Sequence, residues 1–249
     1  MSRSAPREFT VTGRRFVTPH MLRITLGGEG MADFPADQES AYIKLVFPRG
    51  EEERPLMRTY TVRHQRPDEI DVDFVIHESA GPASRWALAA EPGERILIGG
   101  PGPRKLIHDE ADWFLLIGDM TALPAISVNL AMLPADAQGH ALIEVLDEAD
   151  IQPLEHPAGL NLHWLVNPTP DPEGDALLER LRGLSMPAGQ PAVWGACEFA
   201  SMRKLRSHLK QTYTLNKQQL YLSSYWKMGN SEDQHKLAKS QDAAEHSTA

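Results

Sequence analysis

The chain has 249 residues and a formal net charge of -9, with 41% hydrophobic and 24% charged residues. That is a globular composition, long enough for one large domain or two of about 100–150 residues, and two is the working expectation. The acidic balance repels nucleic acid and anionic lipid, so a bound anion must meet a local basic patch. The single cysteine, Cys197, excludes an internal disulfide and a cysteine-built zinc or iron–sulfur site within one chain.

The opening residues MSRSAPREFTVTGRRF lack the continuous apolar core of a secretory signal, and no later apolar run approaches the roughly 18 residues of a membrane span. The expectation is a soluble, cytoplasmic protein, by default a monomer, with no nucleic-acid or membrane partner. From Glu8 to about Ile98 the pattern has period two: Leu22, Ile24 and Leu26 alternate with Arg23 and Thr25, and Ile70, Val72, Phe74 and Ile76 with Asp71, Asp73, Val75 and His77. Turn-rich stretches such as GGEGMADFPADQ and PRGEEERP separate these segments. An antiparallel barrel or sandwich is predicted, interrupted by one helical segment, GPASRWALAA.

The glycine- and proline-rich stretch IGGPGPRKL marks the predicted boundary, giving domains 1–105 and 106–249. Beyond it the short apolar runs WFLLIG, ALIEVL, LHWLV, PAVWGA and LYLSSYW alternate with segments of helical spacing, TALPAISVNLAML, GDALLERLRGL and EFASMRKLRSHL. Runs buried on both faces and alternating with helices predict a parallel sheet wound with helices on both sides. The fold class is therefore β plus α/β, an antiparallel barrel followed by a doubly wound sheet. The polar end, MGNSEDQHKLAKSQDAAEHSTA, reads as a solvated tail with one short helix.

Within LMRTYTVRHQ a strand sends Arg58, Tyr60 and Val62 to one face and Thr59, Thr61 and Arg63 to the other. One segment thus offers a guanidinium for a diphosphate, a phenol ring for a fused aromatic ring and a hydroxyl beside it; an ordinary strand with exposed arginines is about as good a reading of the spacing alone. In HESAGPASRW a helix starting at Gly81 and Pro82 presents N-terminal N–H groups, a ready site for a pyrophosphate, although a plain capped helix is commoner. GGPGPRK has Lys105 where the third glycine of a dinucleotide fingerprint belongs, so a Rossmann-type phosphate loop is not supported. In GDMTALPAI a strand ends at Gly118 and a helix starts near Thr121, which puts Asp119 and Thr121 at the carboxyl end of the sheet, where ligands of open α/β folds gather. The ten histidines show no HExxH or other close ligand spacing, which disfavours a metal-dependent hydrolase.

MRTYTVR, VDFVIHESAGPASRWA, GDMTALPAI, WGACEF and SYWKMGNSED, in that order and along nearly the whole chain, resemble the siderophore-interacting proteins, flavin-dependent ferric-siderophore reductases of the ferredoxin reductase superfamily. The resemblance implies FAD bound on the barrel, with Arg58 on phosphate, Tyr60 on the isoalloxazine face, Thr61 at the ring edge, and Val62 and Arg63 continuing the strand beside the ring. It also implies His77 near the FAD, Ala83 and Ser84 on its pyrophosphate, Trp226 and Lys227 near the flavin end of the cleft, Glu198 as the retained acid of the family's Trp-x-Ala-Gly-Glu pattern, and NADPH or NADH as the hydride donor, with NADPH preferred; Asp119 and Thr121 join the cofactor-binding candidates. Three positions depart from the family pattern: Met120 stands where an acidic residue is frequent, and Cys197 and Ser224 stand where glycine is usual. Cys197 is read as structural rather than reactive, and Arg203, Lys204 and Arg206 as a solvated helical face before a site for a nucleotide 2′-phosphate.

The implied activity is reduction of Fe(III) held by a siderophore, with iron released in the cytoplasm. It needs no catalytic side chain and no protein metal site. Lys44, Arg63, Arg104, Lys105 and Lys227 are the candidates for attracting an anionic ferric chelate, Lys227 first. Two rivals stand beside this reading: a flavin reductase serving another acceptor, and a siderophore-binding protein without turnover.

Overall fold

In the computed structural model, which describes residues 5–50, 53–77 and 81–247, the alternating half of the chain closes on itself. Strands β1 (Arg7–Thr18), β2 (Met21–Gly27), β3 (Tyr42–Phe47), β4 (Leu56–Gln65), β5 (Glu69–Val75) and β6 (Arg95–Gly99) form a closed barrel in the order β1-β2-β5-β4-β3-β6. Every pairing is antiparallel, from Leu22 opposite Phe74 to the closing pair Arg7 opposite Ile98. Leu22, Ile24 and Leu26 meet Phe74, Val72 and Ile70 inside, all at most 1% exposed. Full burial of such side chains contributes roughly 1.5–3 kcal/mol each. Helix α1 (Pro82–Ala89) adds Ala83, Ala87 and the following Ala90 to the same core. Its proline stands where the fixed φ suits a helix start and the missing N–H has no helical acceptor to lose.

The second half has strands β7 (Trp113–Gly118), β8 (Gln138–Val145), β9 (Gly159–Val166), β10 (Pro191–Glu198) and β11 (Leu220–Trp226), with helices α2 (Leu123–Met132), α3 (Ala176–Arg182), α4 (Phe199–Thr212) and α5 (Glu232–Ser247). The sheet runs β11-β10-β7-β8-β9 and is parallel throughout. Alternate residues Trp113, Leu115 and Ile117 of β7 and Val193 and Cys197 of β10 pack on Leu177 and Leu181 of α3 and on Met202, Leu205 and Leu209 of α4. Gly118 faces the other way, where α2 lies: a Cβ there would stand 2.9 Å from Ala122 and 3.1 Å from Ile126. Continuous apolar strands are what a sheet covered on both faces requires. By contacts the chain divides into a first unit running to Leu106 and including Ser127–Asn129, and a second comprising Ile107–Ile126 and everything from Leu130 onward.

The polar end is a correction to the sequence reading. It is not a solvated tail with a short helix but the 16-residue α5, docked on the second unit. His235 and Asp242, both 5% exposed, lie seven residues apart on one helical face. Asp242 receives both Arg206 Nη atoms at 2.7 Å, His235 Nε2 lies 2.8 Å from Ser224 Oγ, and Lys239 Nζ donates to Ser223 Oγ at 2.6 Å. The helix is held by polar groups, so a search for an apolar face passes over it.

Candidate functional site

In the first unit, cross-strand register decides which side chains of β4 stand together. Arg58 lies opposite Leu45 and Tyr60 opposite Ile43, in the inward row; Thr59 lies opposite Lys44 and Thr61 opposite Tyr42, in the outward row. Tyr60 is half-buried, and its ring centroid is 4.3 Å from that of Phe74. Phe74 is 5.9 Å and Phe47 6.0 Å from the Trp86 ring of α1. The phenol is thus braced from behind by an aromatic cluster, which fixes the ring before any ligand arrives.

Helix α1 opens without a side-chain cap, and its first intrahelical bond runs from Arg85 N–H to the Gly81 carbonyl at 2.9 Å. The backbone N–H groups of Ala83 and Ser84 therefore belong to the donor set that a helix leaves at its N-terminus. Their side chains do not serve: Ala83 is 3% exposed in the barrel core, and the Ser84 hydroxyl donates to the Val75 carbonyl at 3.3 Å. His77 is exposed just beyond β5, and residues 78–80 of the segment singled out in the sequence lie outside the described residues.

Val62 is a correction. Its side chain is fully buried opposite Val72, its N–H donates to the Ala41 carbonyl and its carbonyl accepts from Ser40 N–H, both at 2.9 Å. No atom of Val62 is left to hold a ligand; the residue anchors the strand. Arg63 follows at a β-bulge, where the β4–β5 register shifts between Val62 and His64. Around it lies a network of buried charge. Arg23 donates to both Asp73 oxygens at 2.6 and 2.7 Å, and Asp71 receives Arg66 twice at 2.9 Å and Thr25 at 2.8 Å, with His64 at 3.0 Å. Burial raises the Asp71 carboxyl, but bonds from His64, Arg66 and Thr25 outweigh it and hold the group well below the usual carboxylate range.

The candidates for substrate attraction differ in their engagement. Lys44 is half-buried on β3. Arg104 Nε donates to the Glu39 carbonyl at 2.9 Å, and the Lys105 carbonyl accepts from Ser40 Oγ at 3.3 Å. Lys227 belongs to the second unit, with Nζ 4.8 Å from the centroid of the Phe199 ring.

In the second unit the strand order reverses direction between β7 and β10, so their carboxyl ends form the switch point where open α/β sheets receive ligands. Asp119 stands there, 8% exposed, with every oxygen engaged. Its Oδ1 receives Thr121 N–H at 2.9 Å and the Thr121 hydroxyl at 2.5 Å; its Oδ2 receives Glu198 N–H at 2.9 Å and Trp226 Nε1 at 2.8 Å. The carboxylate ties the ends of β7, β10 and β11 together. Burial pushes it above its ordinary value, against the opposing bonds from Thr121, Trp226 and Glu198. Glu198 caps α4 through Ala200 and Ser201 N–H and accepts Met228 N–H at 3.0 Å. Of these four cofactor-binding candidates, Asp119 and Glu198 therefore shape the crevice, while Thr121 and Trp226 are half-buried at its edge.

The N-terminus of α2 is closed to a phosphate: Ala122 and Leu123 N–H both bond the Asp119 carbonyl, at 3.0 and 3.1 Å, and Pro124 has no N–H. This accords with the missing glycine fingerprint. Cys197 is buried, and burial followed by the charges of Asp119, Glu144 and Glu198 lifts its thiol well above the ordinary value, the state of an inert thiol. Arg203 and Arg206 are paired with Asp242, and Lys204 with Asp175 at 2.6 Å, so each of the three is engaged by a carboxylate of its own unit.

One group escaped the sequence reading. Glu144, near the carboxyl end of β8, is half-buried with Asn167 Nδ2 at 2.9 Å; burial first and the Asp119 charge second raise its carboxyl to about 7. Its signal was a lone acid inside the apolar run ALIEVL. Among the described residues no three metal-ligating side chains converge, and no helix is long and apolar enough to cross a membrane.

Comparison with known proteins accords with this geometry. Residues 10–53 and 49–105 match the siderophore-interacting FAD-binding domain, and residues 111–229 match the siderophore-interacting protein family. Ferric vibriobactin reductase ViuB of Vibrio cholerae is 34% identical over 94% of this chain and 93% of its own. An NADPH-dependent ferric-chelate reductase of Escherichia coli is 28% identical over 88% of this chain and 92% of its own. The crystal structure of the siderophore-interacting protein SipS from Aeromonas hydrophila superimposes with a TM-score of 0.85 at 34% identity, covering 96% of this chain and 98% of that one. On these grounds the chain belongs to the siderophore-interacting protein family.

Proposed function

We propose that this protein is an FAD-dependent reductase of ferric siderophores that draws on NADH or NADPH and releases iron as Fe(II) in the cytoplasm. The observation that carries the reading is a coincidence within one unit: the match to a FAD-binding domain over residues 10–105 falls on the strand that presents Arg58 and the braced Tyr60, and on the uncapped start of α1. A guanidinium, two backbone N–H donors and a fixed aromatic face are the donor set that a flavin diphosphate and its fused ring require.

FAD, when bound, takes a hydride from the nicotinamide and hands on electrons singly. The side chains do the rest. Arg58 and the α1 amides hold diphosphate charge, Tyr60 sets the plane of the ring and Thr61 supplies a hydroxyl at its edge. Asp119 locks the strand ends that frame the nicotinamide crevice, with Thr121, Glu198 and Trp226 as its walls. Lys44, Arg63, Arg104 and Lys105 in the first unit, and Lys227 in the second, are each a source of positive charge for an anionic chelate. Each nucleotide gives two electrons, so two Fe(III) become two Fe(II) and one proton is released. Fe(II) binds hard oxygen donors more weakly, and the chelate lets it go.

Anaerobic absorbance tests the path. A flavin spectrum that bleaches with NADH or NADPH and returns on adding ferric siderophore is the expected result. Bleaching with no return on the chelate would leave a flavin reductase for another acceptor, and a protein that takes up no FAD would be a binding protein only.

A further inference from the structure

The second unit carries a cavity of about 200 Å³ bordered by β7, α3 and α4. Its floor is apolar: Leu115 of β7, Leu181 of α3 and Leu209 of α4 are at most 1% exposed, and Leu184 and Met186 of the loop after α3 are half-buried beside them. It lies at the end of the sheet away from the crevice. Helix α4 starts at the crevice, where Glu198 caps it, and Leu209 stands ten residues beyond Phe199, about 15 Å along the axis. Helix α3 likewise ends at Arg182, from which the chain returns to the start of β10 at Pro191.

The rim is polar and unmatched. Arg182, His208 and Tyr213 border the cavity, and their guanidinium, imidazole and hydroxyl groups make no hydrogen bond or ion pair with any described residue. No carboxylate lines the cavity, although the chain has 34 acidic side chains against 25 lysines and arginines, so an acid was the commoner neighbour to place there. Burial first, and the Arg182 charge second, lower the proton affinity of His208, whose ring is therefore a neutral N–H donor beside the guanidinium. Tyr213 is set edge-on against Trp113, with ring centroids 5.8 Å apart. An apolar floor with a few donors converging at the mouth is how small-molecule sites are built.

Volume and charge together define the occupant. An apolar cavity of about 150 Å³ takes one benzene ring. The larger space here admits one ring with a small substituent and excludes anything the size of a nucleotide. That substituent must accept hydrogen bonds and carry negative charge, since each unmatched group at the mouth can donate and one is a permanent cation.

We propose that this cavity binds a single-ring aryl carboxylate, with its ring on Leu115, Leu181 and Leu209, its carboxylate on Arg182, and His208 and Tyr213 as flanking donors. The site belongs wholly to the second unit, so it does not depend on the reading of the barrel.

Ligand-observed NMR titrations of the full chain test it, with benzoate and its neutral counterpart benzamide as probes. Benzoate, with about nine heavy atoms, should bind with a Kd of about 1 mM or tighter. Benzamide should bind at least tenfold more weakly. Arg182→Gln should weaken benzoate tenfold or more and melt with the wild type, because the exposed guanidinium has no bond to lose. Leu184→Trp, which fills the cavity, should abolish binding. No benzoate binding up to about 20 mM, or equal affinity for the two probes, would overturn the proposal. Benzoate binding that survives Arg182→Gln unchanged, or that NADH displaces, would place the ligand elsewhere and overturn it as well.

Discussion

Glu144 gives the most quantitative expectation. Its carboxyl titrates near 7 in the folded chain instead of 4.5, chiefly through burial and then through the charge of Asp119. A carboxyl that binds its proton more tightly when folded favours the native state most below the unfolded value, and that advantage is lost as pH rises from about 4.5 to about 7. The difference corresponds to about 3 kcal/mol, reduced to roughly 2 kcal/mol because the side chain is only half-buried. Glu144→Gln keeps an oxygen to accept from Asn167 and removes the charge, so the variant should be about 2 kcal/mol more stable than wild type at pH 8 and nearly equal to it at pH 5. Urea titrations at the two pH values, followed by tryptophan fluorescence, make the measurement, since four of the five tryptophans lie in the second unit. Equal stabilities at pH 8, or a variant that is less stable there, would refute the argument: the carboxylate would then be better solvated or better bonded than its surroundings indicate.

Asp119→Ala should cost about 2–4 kcal/mol, because Trp226 Nε1 and the buried Glu198 N–H lose their acceptor, and a urea midpoint shift with altered tryptophan emission would register it. An unchanged midpoint would mean that the carboxylate does not tie the strand ends. Asp242→Ala removes the bidentate acceptor of a mostly buried Arg206 and should lower stability by roughly 2–3 kcal/mol, with α5 becoming the first site of limited proteolysis; a helix as resistant as wild type would sink that reading. Tyr60→Ala should weaken FAD binding tenfold or more while Tyr60→Phe retains most of it, measured by flavin fluorescence. Equal affinity in the alanine variant would remove the ring contact.

The strands and the helices between them were readable because burial imposes period two on a barrel and continuous apolar runs on a covered sheet, and both patterns are local. The barrel itself was expected, but the strand that closes it was not, since the pairing of Arg7 with Ile98 spans most of the unit. The bulge at Arg63 is equally silent, because a register shift changes partners without changing composition. The docking of α5 through His235, Lys239 and Asp242 was missed for the opposite reason: its contacts are polar, and polarity reads as solvent. At the candidate site, residue types were legible but their duties were not. Val62 and Asp119 sit in the expected segments, yet one is core and the other a clasp for three strands.

The net charge of -9 does not describe either site, because local matching of charge decides what each can bind. In the first unit Arg23 pairs with Asp73 and Arg66 with Asp71 and Glu69, while Asp73, Glu39 and Asp71 all act on Arg63, so the positive charge there is offset by carboxylates. At the carboxyl end of the second sheet the surplus is negative: the charge of Asp119 raises the proton affinity of Glu144, while Lys204 and Arg206 are spent on Asp175 and Asp242. With the start of α2 also sealed by the Asp119 carbonyl, a dinucleotide at this crevice finds no preformed cradle for its pyrophosphate. Its affinity must come from the nicotinamide and ribose ends, so truncating a nucleotide to the nicotinamide mononucleotide should reduce its rate of flavin bleaching far less than it does in enzymes with a glycine-rich phosphate loop.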